Sequence, residues 1–113
     1  MRMMTTWLVG VLFLMTAFLL ANSVQGDDIS QGKQLFQEKC TICHGAAGKG
    51  DGPAAAAFSK RPADFNNPDF WKGDVDKKIS DTVRNGRPPM PAFSLPSDEI
   101  QAIIAYMKQS FKK

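Results

Sequence analysis

Cys40-Thr41-Ile42-Cys43-His44-Gly45 contains both cysteines and the single histidine of the 113-residue chain. Two thiols at i and i+3 near a helix end project to one side, and the next residue adds an imidazole there. Each thiol can add across one vinyl group of a haem, leaving His44 to offer a ring nitrogen to the iron. Three other chemistries compete for the motif. A disulfide between Cys40 and Cys43 would close a loop too short to remove much chain entropy. A thioredoxin-like pair needs a strand before it and a helix after it, within an α/β pattern this chain lacks. A zinc site wants four ligands, and no further Cys or His exists. The expectation is one haem c, bound through Cys40 and Cys43 and ligated by His44.

Upstream, residues 28–41 have helical periodicity, with Ile29, Gly32, Phe36, Cys40 and Cys43 recurring at three- and four-residue steps. Gly32 lowers helix propensity, which implies that another element approaches closely there. Earlier still, Arg2 precedes an uncharged apolar run over residues 7–21, followed by small residues suited to a signal peptidase. Residues 1–26 are therefore expected to be a signal peptide and 27–113 the functional domain. Cleavage after Ser23 or Gly26 would leave roughly 87 to 90 residues. An uncleaved membrane anchor is the alternative, because no charge lies between Arg2 and Asp27. Under either reading the domain lies outside the cytoplasm, in the periplasm.

The formal net charge is +3, one unit less without Arg2, with acids and bases interspersed. Nucleic-acid binding has no support in that pattern. Lys49, Lys60, Arg61, Lys72, Lys77, Lys78, Arg84 and Arg87 read as an ordinary solvated surface, with long-range steering of a partner as the competing role.

Downstream of the motif, residues 45–52 are glycine-rich and read as a loop, and 54–58 as a short helix ended by Pro62. Residues 61–74 are an irregular connection whose Phe65, Phe70 and Trp71 need something large to pack on. A helix follows over 76–84, stopped by Asn85-Gly86. Ser97 is the expected N-cap of a last helix, with Asp98 and Glu99 in its first turn and lysines at its end. Ile100, Ile103, Ile104, Met107 and Phe111 form its apolar stripe. Sustained period-two alternation is absent, so no sheet is expected. The fold class is all-α, with three main helices and short ones around a covalently bound haem.

The second axial ligand follows by elimination. His44 is the only histidine, methionine is the usual remaining choice in electron-transfer haem proteins, and beyond the leader only Met90 and Met107 exist. Met107 sits within the apolar stripe and reads as core. Met90 lies in Arg87-Pro88-Pro89-Met90-Pro91, where prolines stiffen the loop and hold a weak thioether ligand in place.

These residues resemble class I cytochromes c, specifically the small bacterial and photosynthetic-type monohaem carriers. The resemblance runs from Ile29 to Phe111 and rests on Gly32 and Phe36, CTICHG, Gly52-Pro53, the NGRPPMPAF segment and Tyr106. It implies a first helix crossing the last at Gly32, Phe36 and Tyr106. It also implies that the Pro53 carbonyl accepts a hydrogen bond from the non-ligating nitrogen of His44, orienting the ring. Haem-propionate partners do not carry over, and Trp71, Arg61 and Arg87 are candidates by residue type alone.

The function implied is a non-enzymatic one-electron carrier with a six-coordinate His44/Met90 haem. Its partners would be redox proteins meeting a monomer by transient docking, with membrane contact only through an uncleaved leader or a membrane-bound partner. A subunit of a larger respiratory complex, and a ligand-binding or peroxide-reactive haem protein formed if Met90 dissociates, remain the alternatives.

Overall fold

Three rows of apolar side chains create the core, and the helices that carry them are the main elements of a computed structural model. These are α1 (Arg2–Lys39), α3 (Val75–Asn85) and α4 (Ser97–Phe111), with a one-turn helix α2 (Thr41–His44) after α1 and 3-10 turns at Ala55–Ala57 and Pro68–Trp71. The structure describes residues 2–113, with side chains at 7–11 and 26–113. The signal-peptide expectation falls on residues 1–26, of which Met1 and the side chains of 2–6 and 12–25 lie outside the described residues. Among the described residues no helix is long and apolar enough to cross a membrane. The all-α expectation holds: the β pairing among them is an isolated bridge between Arg87 and Met90.

The expected stripe of α4 is the inner face of the molecule. Ile100, Ile103, Ile104, Met107 and Phe111 are all buried, each contributing on the order of 1.5–3 kcal/mol through removal of apolar surface from water. Helix α1 lies across this stripe at Gly32, where a Cβ would collide with the carbonyl oxygen of Ala102. Glycine lets the two backbones touch, which is the close approach its position implied. One turn later Phe36, 1% exposed, fills the crossing, its ring centroid 5.4 Å from those of both Tyr106 and Phe111.

Helix α3 packs Val75, Ile79 and Val83 against the same core. Its start is fixed by Asp74, whose side chain accepts from the Lys77 N–H at 3.2 Å, and it ends at Gly86, as expected from Asn85-Gly86. The cap of α4 differs from the sequence expectation. Pro96 occupies the cap position, its carbonyl accepting from the Ile100 N–H at 3.1 Å. Ser97 is already helical, and its hydroxyl instead accepts from Arg84 Nη2 at 2.7 Å, so it joins α4 to α3. Lys108 adds a second tie, 2.6 Å from Asp76 Oδ1.

Candidate haem site

The cysteines sit where α1 hands over to α2. Backbone bonds from Cys40 N to Phe36 O and from His44 N to Cys40 O, both 2.9 Å, carry the helical path nearly unbroken through the motif. Both cysteines are unpaired and half-buried, and Cys40 packs against the apolar core. Burial pushes the Cys40 thiol up to about 11. At neutral pH it is therefore an uncharged S–H, in keeping with its apolar surroundings.

Burial also pulls His44 below its ordinary value, partly opposed by its hydrogen bond to a backbone carbonyl. The neutral ring donates from Nδ1 to the Ala63 oxygen at 3.2 Å, which leaves the Nε2 lone pair available to a metal. The acceptor is Ala63, so the Pro53 expectation is corrected. Pro53 lies in a turn whose neighbours bond alongside the motif, Gly52 N to Cys43 O at 3.1 Å and Ala54 N to Ile42 O at 2.9 Å. The chain must travel on to residues 61–66 before it returns to the imidazole.

That returning segment also supplies a ring. Phe65 stacks on His44 with centroids 4.5 Å apart and planes 23° from parallel. Several bonds pin the segment to the loop after the motif: Phe65 N to Gly48 O at 2.7 Å, Asn66 Nδ2 to Ala47 O at 2.8 Å, and Arg61 Nε to Gly50 O at 3.2 Å. Gly50, at φ +75°, has no room for a Cβ against the Pro62 carbonyl. Trp71 donates its indole N–H to the Phe65 carbonyl at 2.8 Å. That N–H is thus committed within the protein, as is the Nε of Arg61.

Met90 is held by a tight turn. Arg87 N bonds Met90 O at 3.0 Å and Met90 N bonds Arg87 O at 2.8 Å, around a cis Pro88-Pro89 bond. Phe93 N to Val83 O, 2.8 Å, fastens the loop to α3. Met90 is half-buried against the same apolar cluster as Cys40, while Met107 is 3% exposed within that cluster as core.

Two free thiols and a neutral imidazole beside one apolar cluster are the groups through which a haem c is held. Comparison with known families agrees, because the cytochrome c model matches residues 29–111. The chain belongs to the cytochrome c family. It is similar to cytochrome c6 of Tetradesmus obliquus, 34% identical over 83 residues that cover 71% of this chain and 88% of that protein. It is also similar to cytochrome c6 of Cyanidioschyzon merolae, 26% identical over 102 residues covering 89% and 92% of the two chains. A cytochrome c domain with two cysteines three apart carries one covalent haem c, and this protein is an electron carrier of that family.

Ala63 and Phe65 are the site residues that sequence reasoning missed. Alanine acts here through its carbonyl and leaves no side-chain signal. Phe65 did carry one, as an aromatic in a loop that needed a large partner.

Proposed function

We propose that this cytochrome c passes single electrons between redox proteins outside the cytoplasm, with the haem iron held between His44 and Met90. The haem supplies a one-electron iron couple when bound. The protein's own residues supply the rest: Cys40 and Cys43 tether the group, His44 presents a neutral nitrogen, and the apolar cluster excludes water from it. The observation that carries the reading is the turn at Arg87–Met90, closed by two backbone bonds and anchored to α3. A backbone held so firmly favours retention of the Met90 thioether by the iron, which suits electron transfer and opposes binding of peroxide or gases. Partners dock transiently on a monomer through small interfaces, and export places the domain in the periplasm.

The test is the optical spectrum of the holoprotein with and without Met90. The wild-type ferric form should show the weak far-red band of sulfur ligation, and its ferrous form should resist carbon monoxide. Met90→Ala should keep the haem, lose the band, lower the reduction potential and admit carbon monoxide. Rapid carbon monoxide binding by the wild-type protein, or an unchanged potential in the variant, would remove Met90 from the site.

A further inference from the structure

We propose that residues 61–66 are a clamp on His44, with Asn66 as the positioning residue that holds the clamp shut. The inference rests on the reading that His44 ligates iron. Both things the structure places on the imidazole come from this one segment: the Ala63 carbonyl on Nδ1 and the Phe65 ring on its face. The carbonyl sets how much electron density the ring can give a metal, and the stacked ring limits rotation of its plane.

The segment has no regular secondary structure, so its position depends on its ties to the loop that follows the motif. Beside the backbone bond from Phe65 N to Gly48 O at 2.7 Å, Asn66 provides the adjacent side-chain tie, from Nδ2 to Ala47 O at 2.8 Å. The same nitrogen lies 3.2 Å from Asp64 Oδ1, which also accepts from the Asn66 backbone N–H at 2.9 Å, so the Asn66 side chain is held in place for that contact. Arg61 ties the other end through Gly50, and Gly50 N returns to the His44 carbonyl at 2.8 Å. The clamp is therefore closed on both sides of Ala63. Asn66 is not part of the apolar core and is uncharged, so its removal perturbs neither the main packing nor the electrostatic field.

Loosening the clamp weakens the Nδ1–H···O bond. The imidazole then donates less density, the ferric state loses more stabilisation than the ferrous, and the potential rises. In Asn66→Ala holoprotein we expect a raised reduction potential and a changed pattern of iron-shifted haem-methyl resonances in the ferric NMR spectrum, with covalent haem and the optical spectrum retained. A merely structural tie would move the melting temperature and leave that pattern alone. Arg61→Gln serves as a second variant, read by the methyl pattern, since its lost charge shifts the potential for a separate reason. Iron-shifted imidazole resonances in the wild-type protein report ligation by His44 itself. Their absence would remove that ligation and the clamp with it. Their presence, with wild-type methyl patterns in both variants and a wild-type potential in Asn66→Ala, would overturn the clamp alone.

Discussion

Gly32 and Ala102 meet backbone to backbone, with no space between them for a side-chain carbon. Elsewhere in a helix, Gly→Ala would stabilise by up to ~1 kcal/mol. At position 32 the sign should reverse, because the added methyl must push α1 off α4. Gly32→Ala should cost ~1–3 kcal/mol, measured by denaturant unfolding of the holoprotein, and a stabilised variant would contradict the intimate crossing.

Cys40 lies on the core side of the motif, half-buried against the apolar cluster. Cys40→Ala should leave at most one thioether and reduce the yield of covalently attached haem. Denaturing electrophoresis stained for haem reads this directly. Full wild-type attachment in the variant would rule out Cys40 as a tether.

The bond from Trp71 Nε1 to the Phe65 carbonyl is part-buried at 2.8 Å. Trp71→Phe keeps a ring but leaves the carbonyl without its partner, a loss of ~1–2 kcal/mol. For a domain of this size that lowers Tm by roughly 4–8 °C per kcal/mol. An unchanged Tm would show that the bond contributes no net stability.

Lys108 and Asp76 join α4 to α3, with side chains 39% and 47% exposed. Solvent screens such a pair, so Asp76→Asn should cost below ~1 kcal/mol. The difference from wild type should fade as salt approaches ~1 M, where the screening length is about 3 Å. A salt-independent loss would point to packing in place of charge.

The sequence and the structure agree most closely where side-chain periodicity carries the information. The α4 stripe, the stop at Gly86 and the tight contact at Gly32 were all legible, because each depends on a residue type at a helical spacing. So was the motif at 40–44, whose donor atoms belong to side chains. The acceptor on His44 was not legible, since any residue offers a carbonyl and only the path of the loop decides which one arrives. The cap of α4 was misread for a related reason: Ser97 has a hydroxyl suited to capping, and Arg84, from another helix, claims it.

The α1–α4 crossing also determines when the molecule can close. Residue 32 must wait for residue 102, and a contact between such distant parts of a chain costs loop-closure entropy before it returns any stabilisation. A newly made chain therefore stays open for as long as its last helix is missing. During that interval residues 40–44 lie on an unfinished scaffold, and the haem can be attached before the final helix seals the core.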